Sequence, residues 1–223
     1  MNSPEAHHST AETGGSARHA QATPAPAVNQ DLASRVIDLC RPVVTLDPSN
    51  FEDSCFSRCI DALQTVQGRH ARPASELPFQ ALQHCFPHDF LESVMVIGTP
   101  TVPAFPWQSI DLRPRPLHVP LGQNIDTAAL SLRNAYFIRQ DHMDSALTHA
   151  QQLARVAQWQ LLGDEAYLWL AAAAHVRADS AVSPIRSMAE RIAIRVLHGQ
   201  TIPALDLVQH EMMLLASGSD LFG

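Results

Sequence analysis

Three observations predict a mainly α protein with minor β structure. The C-terminal part carries apolar residues at three- and four-residue spacing, punctuated by helix caps and glycine stops. The segment from Thr99 to Pro120 holds Pro100, Pro103, Pro106, Pro114, Pro116 and Pro120, which excludes long helices and central strands there. The first 29 residues hold almost no large apolar side chain before Val28 and cannot offset their ordering entropy, so they are expected to be a disordered tail. The expected organisation is a tail over 1–29, a helical region with one short strand over 30–98, a proline-rich connector over 99–125 and an antiparallel array of about five helices over 126–217.

Taken in order, Leu32, Val36, Ile37 and Cys40 fall on one face of a helix from Asp31 to Cys40, ended by Pro42. Ser49 and Glu52 form a capping box ahead of Phe51, Cys55, Phe56, Cys59, Leu63 and Val66, with Gly68 as the stop. Residues 69–76 read as a loop. Leu77 to Phe90 reads as a helix broken at Pro87, and Val94–Ile97 before Gly98 as a buried strand. Across the proline-rich segment the safer reading is extended, polyproline-like backbone, with short edge strands permitted around Ile110 to Val119.

The array then starts at Asp126, expected to cap a helix running to Gln140 with Leu130, Phe137 and Ile138 inward. Asp141 or Asp144 opens the next helix, in which Met143, Leu147, Ala150, Ala154, Ala157 and Leu161 keep the helical period until Gly163. His149 and Gln152 fall on its polar side. A third helix from Asp164 to Val176 is apolar nearly all round, the pattern of a central helix covered by neighbours. Ser183 and Pro184 start a fourth that Gly199 ends, and Leu205, Val208, Met212 and Leu215 mark a fifth ending at Ala216.

The chain has no lysine. Fifteen arginines stand against 22 acidic residues, a net charge of −7. Two readings account for this: the codon bias of a GC-rich bacterial genome, or selection against amine modification in a protein delivered into a eukaryotic cell. Lysine-dependent Schiff-base and P-loop chemistry is excluded. The acidic balance argues against nucleic acid as a partner, because a phosphate track needs a basic stripe. No segment reaches the roughly 18 apolar residues of a membrane span. The first residues show neither a basic start nor an apolar stretch, so the expected location is the cytosol, or a type III-like export route with an uncleaved signal. Four cysteines in such a protein are expected as reduced thiols.

Candidate chemistry is sparse. Cys55 and Cys59, with His84 and His88, could supply four zinc ligands, but the first two lie on the apolar stripe of a helix, where cysteine behaves as a small hydrophobe. Cys85 has His84, His88 and Asp89 nearby in sequence and, with His88, is the one candidate for thiol chemistry, but adjacent residues on a helix point apart and the favoured reading is a core cysteine. Twelve histidines are scattered about one per element, and no H-E-x-x-H, G-x-G-x-x-G, Walker or G-x-S-x-G motif occurs. No cofactor is assigned. Arg113, Arg115, Pro116 and Leu117 form a basic, proline-rich stretch that could dock in an aromatic groove on a partner, or act as a stiff connector.

The expectation from all this is a non-enzymatic helical interaction protein with another protein as its partner: an adaptor, chaperone-like factor or secretion-system accessory. The alternative is a translocated effector that acts in a eukaryotic host, with thiol chemistry at Cys85.

Overall fold

In a computed structural model, the described residues are 28–46, 55–67, 71–105, 112–113, 128–176, 184–199 and 203–217. Residues 1–27 of the expected 1–29 tail, the capping box at Ser49 and Glu52 and the helix start at Ser183 lie outside them.

Helix α1 (Gln30–Cys40) begins where the Asn29 side chain accepts a hydrogen bond from the Leu32 N–H at 3.1 Å, which satisfies one of the free donors of the first turn. Its buried stripe is Leu32, Ala33, Val36 and Cys40. Asn29 and Val28 therefore belong to the folded body and not to the tail assigned from composition. Strand β1 (Thr45–Leu46) follows, then α2 (Cys55–Gln67). The expected loop over 69–76 contains β2 (Ala71–Pro73) and a 3-10 turn. The broken helix is α3 (Gln80–Cys85) and α4 (His88–Ser93), interrupted at Pro87, and the buried strand is β3 (Met95–Thr99). Strand β4 (Leu112–Arg113) pairs antiparallel with β1, so Arg113 sits opposite Thr45.

The expected helix from Asp126 to Gln140 is not formed. Its place is taken by a hairpin, β5 (Ala129–Leu132) and β6 (Ala135–Arg139), turning through Arg133 and Asn134. Leu130, Phe137 and Ile138 fit a helical period by coincidence of spacing. The aromatic and β-branched run Tyr136-Phe137-Ile138 suits a strand covered on both faces, and all three residues are buried. Arg133 takes the left-handed conformation, φ 54°, that a two-residue hairpin turn requires. The sheet order is β2-β3-β6-β5, with β3 and β6 parallel and the other pairs antiparallel. It thus takes strands from both sides of the proline-rich stretch.

The C-terminal helices are α5 (Ala146–Val176), α6 (Pro184–Leu197) and α7 (Ala204–Ala216). Gly163 breaks α5 into two arms, at φ 74° and ψ 172°, a region open essentially to glycine alone. A Cβ there would also come within 3.3 Å of both methyl carbons of Val28. In an unbroken helix Trp159 and Tyr167 would stand about 12 Å apart. The break instead stacks their rings at 4.0 Å. Helices α1, α6 and α7 and strands β5 and β6 all pack on α5. The second arm is buried along its length, with Leu168 and Leu170 at 0 % and 1 % exposure, as a central helix should be. The first arm is buried too, including the side read as polar: His149 is 0 % and Gln152 3 % exposed. The hairpin that replaces the expected helix covers that side. No described helix is long and apolar enough to cross a membrane.

Candidate functional site

Among the described residues, polar or reactive side chains meet at a cleft beside α3 and α4, at the joint between the sheet and α5, and at the tip of the β5–β6 hairpin.

The cleft arises because α3 packs on α6 and the chain then turns sharply at Pro87. Phe86 and Phe90, on either side of Pro87 in the chain, stack with centroids 5.5 Å apart. The opening, about 840 Å³, is lined by Gln83, His84, Cys85, Phe86, Pro87 and His88 on one side and by Val196, Gly199 and Pro203 on the other. The structure therefore brings His84, Cys85 and His88 to one surface. It does not arm the thiol. Cys85 is 8 % exposed, its Sγ lies 3.8 Å from the Val196 carbonyl, and burial raises its pKa, which favours the thiol over the nucleophilic thiolate. His88 pairs with Glu92 one turn along α4, Nε2 to Oε1 at 3.3 Å, on an exposed face.

Cys55 and Cys59 both lie on α2, and their side chains are outside the described residues. Among the described residues no group of three or more His, Cys, Asp and Glu side chains could hold a metal ion. Arg115, Pro116 and Leu117 also lie outside the described residues, and Arg113 is placed only as the β4 partner of Thr45.

The joint escaped detection in the sequence. Register places Arg72, Val96, Tyr136 and Ser131 in one row across the four strands, hence on one face of the sheet. That face meets α5. The Tyr136 hydroxyl lies 2.6 Å from His149 Nδ1, and the Ser131 hydroxyl donates to Gln152 Oε1 at 2.7 Å. His149 and Gln152 are one helical turn apart, matching Tyr136 and Ser131 as cross-strand neighbours. His149 Nε2 reaches the Met143 carbonyl at 2.9 Å, and the Phe79 ring lies against the imidazole at 5.2 Å. The carbonyl can only accept, so Nε2 carries the proton and Nδ1 accepts from Tyr136. Burial pushes the Tyr136 hydroxyl well above its ordinary range, which keeps it a neutral donor. The available signal was weak: Tyr136-Phe137-Ile138 is rich in strand formers, but Ala129–Leu132 is not, and Arg133-Asn134 is no standard hairpin dipeptide.

A third polar cluster ties the hairpin tip to the helices. Arg133 donates to Asp164 through Nε at 3.0 Å and Nη2 at 2.7 Å, and to Asp61 of α2 at 3.1 Å. The Trp159 indole N–H donates to Asp164 Oδ1 at 2.7 Å. Each group here is engaged in holding α2, the hairpin and the break in α5 together.

No protein-family model matches the chain, and no curated protein or solved structure is significantly similar to it.

Proposed function

We propose that this is a non-enzymatic interaction protein that takes a segment of a partner protein into the cleft between α3–α4 and the α6–α7 connection. The observation that carries the reading is the character of that cleft. It is open, partly floored by apolar atoms of Phe86 and Val196, and rimmed by the exposed imidazoles of His84 and His88. Its one thiol is turned to a backbone carbonyl and disfavoured as a thiolate. Such a surface can bury apolar side chains and accept or donate hydrogen bonds at its rim, and it holds no activated nucleophile. The polar groups at the sheet–α5 joint and around Arg133 and Asp164 instead join elements of the fold.

The alternative, a translocated effector with thiol chemistry at Cys85, draws support from the shared cleft of Cys85, His84 and His88 and from the absence of lysine. One experiment separates the two. A photo-crosslinking residue in place of His84, in the native host, is expected to trap one protein, while the same residue at the exposed Met213 of α7 traps none. A partnerless, monomeric protein that turns over a substrate, with activity abolished in Cys85→Ala, overturns the proposal and supports the alternative.

A further inference from the structure

We infer that the joint between the sheet and α5 is an acid-operated latch, closed by neutral His149 and opened by its protonation. The inference is independent of what the cleft binds.

The latch rests on how completely His149 is committed. The imidazole is fully buried, and both ring nitrogens are used: Nδ1 accepts from Tyr136 and Nε2–H donates to the Met143 carbonyl. A second proton can go only on Nδ1. It would take away the acceptor of a buried hydroxyl and place a cation between the two layers of the fold. Burial opposes that cation most, while the Met143 carbonyl that accepts from Nε2–H favours it. From the sheet, Arg72 stands in the same row as Tyr136 and disfavours it. From the start of α5, Asp144 favours it, but this carboxylate is exposed and therefore screened by solvent. Phe79 supplies an aromatic face and no charge that compensates burial within the core. Burial is the largest influence, and the folded-state pKa of His149 lies below its ordinary value of 6.5.

The sign follows from linkage. For a base whose pKa is depressed by folding, the unfolded chain binds the proton more readily. The stability contributed by the neutral ring is complete above pH about 6.5 and is lost as the pH falls from there through the folded-state value. Tyr136 and Ser131 are cross-strand partners, and Gln152 lies one turn from His149. Protonated Nδ1–H would have to donate to the Tyr136 oxygen, which reverses the bond and leaves the buried hydroxyl proton without that acceptor, so the contact between the β5–β6 hairpin and the first arm of α5 is weakened.

The test uses the full chain. An NMR titration of the His149 ring in the folded protein, and again in the urea-unfolded protein, is expected to give a lower midpoint when folded. Hydrogen exchange at falling pH is expected to show protection lost first along β5, β6 and residues 146–153. In His149→Gln, whose amide can accept from Tyr136 and donate to Met143 without titrating, the acid transition should shift to lower pH. A folded midpoint at or above the unfolded one overturns the inference, and so does a His149→Gln protein whose acid transition has not moved. Should His149→Gln fail to fold, the titration of the unaltered chain decides alone.

Discussion

The two arms of α5 differ sharply in sequence and hardly at all in burial. The second arm is apolar nearly all round. The first carries His149, Gln152 and Gln158 among its apolar residues, yet these three are 0 %, 3 % and 1 % exposed. What separates them is the partner each meets. His149 and Gln152 face the sheet, where Tyr136 and Ser131 supply hydrogen bonds. Gln158 lies about 120° around the helix from Gln152. Both atoms of its amide are buried without a hydrogen-bond partner. A polar residue on a buried helix is thus tolerated cheaply on one side and at a cost on the other. The comparison teaches that polarity in a helical pattern marks the solvent side only where no second layer lies above it.

The comparison breaks most visibly if a charge is put on each arm. Leu170→Asp buries an unpaired carboxylate in the second arm and is expected to cost several kcal/mol, about the whole stability of an ordinary domain. Helical periodicity alone, with Gln152 on an outer side, predicts less than about 1 kcal/mol for Gln152→Asp. The structure reverses that expectation. The shorter carboxylate would sit 3 % exposed beneath the sheet, so this variant should also lose several kcal/mol. Denaturant midpoints check both. A Gln152→Asp midpoint equal to that of the unaltered chain would mean that the first arm is open to water.

Next in size is the boundary between the arms. Gly163→Ala forces a side chain into φ 74°, ψ 172° and against the Val28 methyls, and should cost about 2 kcal/mol, within the range of such backbone strain. If the thermal midpoint did not fall, the arms would be joined by some other local geometry. The smallest expected change is a gain. Gln158→Met keeps the length of the side chain and removes the partnerless amide, so it should stabilise the protein by about 1 kcal/mol. The matching change Gln152→Met removes the shorter bond of the Ser131 hydroxyl and leaves it the main-chain carbonyl of residue 152 at 3.3 Å, so it should destabilise by up to about 1 kcal/mol. Equal shifts of the same sign in the two variants would remove the distinction between the two sides of the arm.

Local signals carried much of the fold. Pro184 at the start of α6, Gly163 and Gly199 with φ of 74° and 72°, the break at Pro87 and the buried strand before Gly98 all follow from the conformational limits of proline and glycine and from apolar spacing. Of the five helices expected after residue 125, the first is the β5–β6 hairpin, and the described residues after it form α5, broken at Gly163, then α6 and α7, with α1 packed against α5 and α7. Asn29 was assigned to the tail by composition, although its side chain caps α1 and its own N–H donates to the Leu161 carbonyl at 3.0 Å.

The site was legible only in part. His84, Cys85 and His88 are close in sequence, so their meeting at one cleft was foreseeable. The opposite wall, Val196, Gly199 and Pro203, was not, because it comes from more than a hundred residues away. The joint was wholly hidden. Ser131 and Tyr136 look inert until the hairpin gives them a common face, and His149 and Gln152 look exposed until that face covers them.

By itself the sequence determined where helices stop, which arm is apolar on every side, and which lysine-dependent chemistries are impossible. Those properties belong to single residues and their near neighbours. Only the tertiary structure decided that residues 129–139 pair as strands, because β6 gains its hydrogen bonds from β3, more than thirty residues earlier. It also decided which polar side chains are satisfied. A hydrogen bond across two layers depends on register and packing together, and neither is written in the spacing of one segment.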